Sequence, residues 1–258
     1  GNRPRSAALR EIVSQRQGDE DRAGRRRDNV AMSTTRHELL HAFDLLLAPE
    51  RFKDYGPNGL QVEGRTTVRK IVSGVTASRA LIEAAIRAEA DAIFVHHGLF
   101  WRGQDGRVTG WMKQRLALLL NCDVNLFAYH LPLDAHPELG NNAQLGLQLG
   151  LLAHPGSAGR FGEQELGFLG GLEDGETLAN AKALAVHVEK VLKRPVTLVD
   201  TAHRPIKTIA WCTGGAQGYF EAAIAAGADA FITGEISEPQ AHYAREMGVA
   251  FLACGHHA

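Results

Sequence analysis

Three segments of the chain place histidine or aspartate at or just beyond the end of an apolar run. The residues concerned are His96, His97, His130, Asp134 and His256. Imidazole and carboxylate groups together suit borderline divalent ions such as Zn, Fe, Mn, Co or Ni. Because functional groups gather at the carboxyl ends of strands in α/β sheets, we predict that these side chains share one cleft.

Two bound ions would define the chemistry of such a cleft. Ions about 3.5–4 Å apart would bridge a water molecule, lower its pKa towards neutrality and supply hydroxide as a nucleophile. We therefore predict a dinuclear-metal-dependent hydrolase with two divalent ions per subunit. The predicted metal ligands are His96, His97, Asp134 and His256. The candidates for proton transfer are His130 and Glu235.

The metal ligands also have simpler interpretations. An adjacent histidine pair is often a cap or a surface feature, and Asp134 would equally cap a helix predicted to begin near Asn141. For the pair, the strand-end position favours metal binding. Gly98 would permit unusual dihedral angles there, so that both imidazoles turn towards one side.

Other catalytic motifs are absent from the sequence. It contains no Walker-type GxxxxGK[ST] loop, no GxGxxG after a strand and no GxSxG elbow. The glycine-rich segment TGGAQG, which begins at Thr213, is either a turn whose backbone amides hold a phosphate or simply a tight connection. Both interpretations stay open.

The composition limits the partners of the protein. Among 258 residues, Lys and Arg total 28 and Asp and Glu total 29, so no net field favours nucleic acid. No uncharged apolar run approaches the roughly 20 residues that cross a bilayer, which predicts no membrane partner. The three cysteines are scattered and odd in number. They indicate reduced thiols and a cytoplasmic location.

Residues 1–31 differ from the rest of the chain. They carry eight arginines, five acidic residues and few large apolar ones. We expect this segment to be disordered, either as an Arg-rich leader or as a start-site artefact, with Met32 the more natural start.

Beyond residue 32, apolar runs typical of buried strands alternate with amphipathic segments. The predicted strands are KIVSGV, AIFV, VNLFAY, LGFLGGL, KTIAWC, AFIT and VAFLAC. The predicted helices are HELLHAFDLLLAP and residues 78–88, 111–120, 142–151, 177–192, 218–226 and 238–247. The alternation predicts an α/β fold in which mixed or mostly parallel sheets are flanked by helices.

Two segments that lie 138 residues apart repeat one another. EAAIRAEADAIFV from Glu83 and EAAIAAGADAFIT from Glu221 agree at eight of thirteen positions. Ala-rich helix composition explains part of this agreement, whereas two related α/β lobes also explain the matching strand and turn before each segment. We predict a first lobe at residues 32–138 and 245–258, carrying the metal site at strand carboxyl ends, and a second, inserted lobe at residues 139–244.

Several motifs together resemble a known family. AIFVHHGLFW, YHLPLD, TGEIS and ACGHHA occur in the order and spacing of the NIF-three-like proteins, which are also named type 2 GTP cyclohydrolase I homologues. PNGLQVEG from Pro57 resembles an early Asn-Gly-Leu motif of that family. The resemblance covers residues 32–258.

The resemblance implies how the ligands divide between two ions. His96 and His256 would bind one ion, and His97 with Asp134 would bind the other. The remaining ligand of the family is a bridging glutamate four residues beyond the first histidine of GHHA, past Ala258.

The resemblance also implies an assembly and an activity. Family members form toroidal homo-oligomers, commonly hexamers, with metal sites facing an internal cavity. Some resemble GTP cyclohydrolases, in which water attacks the imidazole carbon of the purine and formate leaves, so the resemblance implies a nucleotide or another heterocyclic substrate. The alternatives are a non-catalytic metal-binding regulatory or scaffold protein and a metal storage or delivery protein. A closed coordination sphere would favour the scaffold, because catalytic sites keep an open position.

Overall fold

Our computed structural model describes residues 33–201 and 204–257, and the leader predicted at residues 1–31 lies outside these ranges. The described chain forms two compact units. The first comprises residues 33–50 and Tyr55–Tyr129, and the second comprises Arg51–Asp54 and residues 130–257. Within the described ranges, no helix is long and apolar enough to span a membrane.

The first unit is built on a four-stranded mixed sheet. The unit has six strands in its described residues, which are β1 (Thr34–Thr35), β2 (Gly59–Val62), β3 (Thr67–Val68), β4 (Ile71–Thr76), β5 (Ala92–His97) and β6 (Asn125–Ala128). Its helices are α1 (Arg36–Leu47), α2 (Arg79–Arg87) and α3 (Gly110–Asn121). The sheet order is β2-β6-β5-β4, with β4, β5 and β6 parallel and β2 antiparallel at the edge. β1 and β3 form a separate antiparallel pair.

The second unit is built on a seven-stranded mixed sheet. Its strands are β7 (Leu151–Ala153), β8 (Arg160–Phe161), β9 (Gly167–Leu172), β10 (Thr197–Val199), β11 (Ile209–Trp211), β12 (Ala230–Thr233) and β13 (Ala250–Ala253). Its helices are α4 (Leu131–Ala135), α5 (Asn141–Leu149), α6 (Ala181–Leu192), α7 (Phe220–Ala225) and α8 (Glu238–Met247). The order is β10-β13-β12-β11-β9-β7, with β8 paired to β9.

Hydrophobic packing on both sides of the second sheet explains its apolar strands. One buried cluster includes Phe220, Phe231 and Phe251, and the other includes Trp211 and Leu252. Strands covered on both faces are apolar throughout rather than alternating. The predicted α/β fold of mixed sheets flanked by helices is therefore confirmed. The cysteines form no disulfide within the described residues.

One predicted helix begins later than its amphipathic pattern indicated. The prediction started at residue 177, but Leu178 forms a β-bridge with Ile206. α6 then begins after Asn180, whose side chain accepts a hydrogen bond from the amide of Ala183. The cap fixes the start because it satisfies an amide that has no partner inside the helix.

The two units share a four-stranded core with the same register. Ile71 pairs with Ala92 in the parallel ladder of the first unit. Ile209 pairs with Ala230 in the second unit, each residue 138 positions later. The strand orders β2-β6-β5-β4 and β10-β13-β12-β11 correspond, and both edge strands are antiparallel. The structure thus supports two related α/β lobes over chance similarity in composition.

The lobe boundaries differ from the predicted ones. The first unit ends at Tyr129 rather than at residue 138. Residues 250–253 form β13, which pairs with β10 and β12 in the second sheet instead of joining the first lobe. The motif after β13 indicates only the site that its histidine would serve. Backbone hydrogen bonds decide which sheet the strand joins, and those of β13 are made with the second sheet.

In each repeat, an aspartate side chain accepts hydrogen bonds from the backbone just before a strand. Asp91 Oδ2 accepts hydrogen bonds from the amides of the two residues before β4, at 2.8 and 3.1 Å. Asp229 Oδ2 accepts from the two residues before β11, at 3.0 and 2.9 Å. The Ala-Asp-Ala sequence common to the two repeats therefore has a structural role in both lobes.

The Asp91→Asn variant should be less stable than the wild type in a pH-dependent way. Burial raises the pKa of Asp91, but hydrogen bonds from the two amides and from Arg65 outweigh it and leave the pKa below its ordinary value. Because its folded-state pKa is lowered, the ionised Asp91 side chain stabilises the folded protein at pH values above its unfolded-state pKa of about 4. This stabilisation is lost as the pH falls through the folded-state pKa. We expect the free energy of unfolding at pH 7 to fall by about 1–3 kcal/mol.

Urea unfolding at pH 7 and below pH 4 measures this effect. The difference between wild type and Asp91→Asn should shrink in acid, and an equal difference at both pH values would contradict the assignment. Glu83→Gln is the control, because this carboxylate, about one-third exposed, pairs with Arg79 along α2. Such pairs contribute roughly 0.5 kcal/mol or less.

Candidate metal centre

His96 and His97 lie side by side at the end of β5. Their ring centroids are 4.5 Å apart, with the ring planes at 45°. His96 Nδ1 lies 3.1 Å from the carbonyl oxygen of Tyr129, and His97 Nδ1 lies 3.1 Å from Oγ1 of Thr76. Because Tyr129 follows β6 and Thr76 ends β4, the two strands that flank β5 orient the two imidazoles.

The contact of His96 fixes its tautomer. A carbonyl oxygen only accepts hydrogen bonds, so Nδ1 of the neutral ring carries the proton and Nε2 keeps its lone pair. Metal-binding histidines usually have this arrangement, with one ring N–H donated to an oxygen and the other nitrogen left as the ligand. For His97 the hydroxyl of Thr76 either donates or accepts, so that contact orients the ring without choosing the tautomer.

Gly98 is required by close packing rather than by unusual dihedral angles. Its φ is outside the positive range, contrary to the sequence-based expectation. A Cβ atom at this position would overlap the side-chain amide of Gln61. That amide accepts a hydrogen bond from the Leu99 amide at 2.8 Å and donates to the Pro57 carbonyl at 2.8 Å. The PNGLQ segment therefore holds the turn that follows the histidine pair.

Asp134 lies in the short helix α4 and does not cap α5. The N-cap of α5 is Gly140, so no side-chain hydrogen bond caps this helix. Instead, Asp134 Oδ1 accepts from the Asn141 side chain at 2.9 Å and from Thr213 Oγ1 at 3.5 Å. Burial raises the pKa of Asp134 to about 6, against the opposing effects of His130 and Asn141. A carboxylate that has lost solvation in this way is a favourable place for a cation.

Three parallel strands of the second unit end against one another at glycines. The amide of Gly234, after β12, donates to the carbonyl of Gly214 at 3.0 Å. The amide of Gly255, after β13, donates to the carbonyl of Gly234 at 2.8 Å. His256 follows this point, and its Nδ1 lies 2.6 Å from Glu235 Oε1. The contact between these strand ends favours the tight-connection interpretation of TGGAQG.

His130 is paired with a carboxylate that sequence reasoning missed. Its Nδ1 lies 2.7 Å from Asp54 Oδ1, and Asp54 Oδ2 accepts a hydrogen bond from the Leu131 amide at 2.8 Å. The Asp54 side chain is only 3% exposed. The one signal in the sequence is an acid just before the PNGLQ segment, and nothing local connects it with a histidine 76 residues later.

Within each unit, the structure brings predicted site residues together. The first unit brings together His96 and His97. The second unit links Asp134 through Thr213 to the strand ends that carry the Glu235–His256 pair. In the same unit, His130 is held by Asp54.

A mixed α/β protein of two related lobes, with histidine and carboxylate side chains at its strand ends, is the class that this fold and these residues define. The chain belongs to the Duf34/NIF3 (NGG1p interacting factor 3) family, which it matches over residues 34–258. The resemblance seen in the sequence motifs is therefore confirmed.

Individual relatives agree with this membership. The chain is 54% identical over 207 residues to the GTP cyclohydrolase 1 type 2 homolog of Neisseria meningitidis serogroup B, covering 80% of each protein. It is 52% identical over 229 residues to the homolog of Pseudomonas aeruginosa, covering 89% of this chain and 87% of that protein. Among solved structures, protein ybgI, described as of unknown function, has a TM-score of 0.80 and 45% identity. A protein from Thermus thermophilus, TTHA1606, has a TM-score of 0.72 and 32% identity, and each of the two comparisons covers 87% of both chains.

Proposed function

We propose that this protein is a dinuclear-metal-dependent hydrolase of the GTP cyclohydrolase 1 type 2-like kind. The main support is the state of its candidate histidine ligands. Each of His96, His97 and His256 has its Nδ1 within 3.1 Å of an oxygen atom, supplied by a carbonyl, a hydroxyl and a carboxylate respectively. Oxygen atoms that contact one ring nitrogen in this way orient metal-binding imidazoles and raise the basicity of the other nitrogen.

The donor set fits two borderline divalent ions per subunit. His96 and His256 would hold one ion, while His97 and Asp134 would hold the other. Zn, Fe, Mn, Co and Ni all accept imidazole and carboxylate ligands, and availability rather than affinity often selects among them. When bound, such ions lower the pKa of water enough to supply hydroxide near neutral pH.

Two residues of the chain are proposed to move protons. Glu235 contacts Nδ1 of His256 through one carboxylate oxygen, and its side chain is about half exposed, which gives solvent or substrate access to it. His130 is held at Nδ1 by Asp54, so its Nε2 is the atom that would exchange a proton.

GTP is the first substrate to test, because the relatives bear the name GTP cyclohydrolase 1 type 2 homolog. In that reaction, one water would add to the imidazole carbon of the purine and open the ring, and a second water would hydrolyse the resulting formamide to release formate. The side chains at Glu235 and His130 would accept and return the protons. The family resemblance also predicts a homo-oligomer, commonly a hexameric toroid, and a cytoplasmic location.

Formate release from GTP by the full-length protein loaded with Zn²⁺ or Mn²⁺ tests the proposal. We expect release that depends on added metal and that falls by at least about 100-fold in His97→Ala. His187→Ala is the matched control, because His187 also contacts a backbone carbonyl, that of Leu149 at 2.8 Å, but lies outside the candidate site.

The outcomes separate the two candidate functions. Equal formate release from wild type and His97→Ala would refute the cyclohydrolase activity. Full metal occupancy without hydrolysis of GTP or of other nucleotides would support a metal-binding regulatory or scaffold protein instead.

A further inference from the structure

The segment Arg51–Asp54 belongs to the second unit although the residues on both sides of it belong to the first. Phe52 packs against the buried cluster on one face of the second sheet. The Gln164 side chain accepts a hydrogen bond from the Lys53 amide at 2.6 Å and donates to the Lys53 carbonyl at 3.3 Å. The backbone beside Asp54 is therefore anchored at both its amide and its carbonyl by the second unit.

This segment delivers one buried carboxylate to His130. Both oxygens of Asp54 accept hydrogen bonds, one from His130 Nδ1 at 2.7 Å and one from the Leu131 amide at 2.8 Å. The two donors are neighbours in the chain, so the carboxylate fixes the ring and the backbone of the same turn.

The chemistry of the pair determines the tautomer of His130. The Leu131 amide is always a donor, and an ionised carboxylate only accepts, so Nδ1 must carry the proton. Nε2 of the neutral ring then keeps its lone pair. The His130 side chain is 20% exposed, whereas that of Asp54 is 3% exposed.

We propose that Asp54 is a positioning residue that holds His130 as the Nδ1–H tautomer, so that Nε2 is the ring nitrogen without a proton. The tautomer follows from geometry alone, and its effect on catalysis rests on the proposed function.

Asp54→Asn should reverse this tautomer. The Leu131 amide needs an acceptor, which only the side-chain oxygen of asparagine provides. The asparagine NH₂ group must then face His130 Nδ1, which becomes an acceptor, and the ring proton moves to Nε2. The shape of the side chain is kept while its effect on the imidazole is inverted.

Magic-angle-spinning NMR of the Zn²⁺-loaded, full-length protein with ¹⁵N-labelled histidine measures the tautomer directly. The neutral ring of wild-type His130 should show a protonated Nδ1 and an unprotonated Nε2. Asp54→Asn should show the opposite, and the missing signals in His130→Gln identify the residue. A protonated Nε2 in the wild type, or no change in Asp54→Asn, would refute the inference.

Kinetics separate this inference from the proposed function. If formate is released, Asp54→Asn should lower kcat by about 10²- to 10⁴-fold and leave KM nearly unchanged. Asp229→Asn is the matched control in the same unit, because Asp229 also accepts two backbone amides but pairs with Arg204 instead of a histidine. It should change neither the His130 tautomer nor kcat. If the wild type releases no formate, the hydrolase proposal fails while the tautomer measurement still decides the role of Asp54.

Discussion

Replacing His96 or His97 by alanine should lower the affinity for divalent ions by more than about 100-fold. Loss of a residue that only orients a ligand already lowers metal affinity about 10- to 100-fold, and loss of the ligand itself has a larger effect. The ring centroids lie 4.5 Å apart and the rings are oriented by neighbouring strands, so neither imidazole can substitute for the other. Each variant should therefore lose tight binding of the ion that its own imidazole would hold.

Competition with a chromogenic chelator measures the affinities, with circular dichroism as a test of folding. His187→Ala again removes an imidazole that contacts a backbone carbonyl, and it should bind metal as the wild type does. If His96→Ala and His97→Ala kept wild-type affinity while folded, the histidine pair would not be a ligand pair.

Gly234→Ala should lower both the stability of the second unit and the metal affinity that we propose for His256. An added Cβ would lie 2.5 Å from the Gly214 carbonyl oxygen, 2.8 Å from His256 Cα and 2.9 Å from the Gly255 carbonyl oxygen. All three are backbone atoms, so the ends of the strands must separate and weaken the hydrogen bonds that join them. Overpacking together with these losses should lower the free energy of unfolding by about 2–4 kcal/mol.

The displacement of His256 should also lower metal affinity, by about 10- to 100-fold, as for other changes that misplace a ligand. Urea unfolding and chelator competition test the two effects. Gly218→Ala is the matched control in the same unit, because its Cβ would meet nothing within 4 Å. Wild-type stability and affinity in Gly234→Ala would show that the strand ends do not require glycine there.

Most parallel strands could be predicted from sequence because they are buried and apolar throughout; β4 is the exception, with exposed and partly buried residues in alternation. All seven predicted runs overlap strands of the structure, and AFIT coincides with β12. The edge strands β2, β7 and β10 were missed. Each has only three or four residues, and β2 and β10 are recognisable chiefly through a partner strand that is distant in sequence. Short runs of this kind have no periodic signal of their own.

The candidate site was predictable where its residues follow strands and unpredictable where they meet across the sequence. The motifs at His96, His97 and His256 identified strand ends correctly. The role of Gln61 behind Gly98 and that of Asp54 behind His130 depend on contacts between distant segments. No local pattern contains that information, since side-chain pairing over such separations is decided by the fold.

The metal content of the purified full-length protein tests the central proposal most directly. Elemental analysis by inductively coupled plasma mass spectrometry, after equilibration with Zn²⁺, Mn²⁺ or Fe²⁺ and removal of the excess, gives the number of ions per chain. The proposed ligands predict two divalent ions per chain in the wild type. Folded protein that retains none of the three metals would contradict the account.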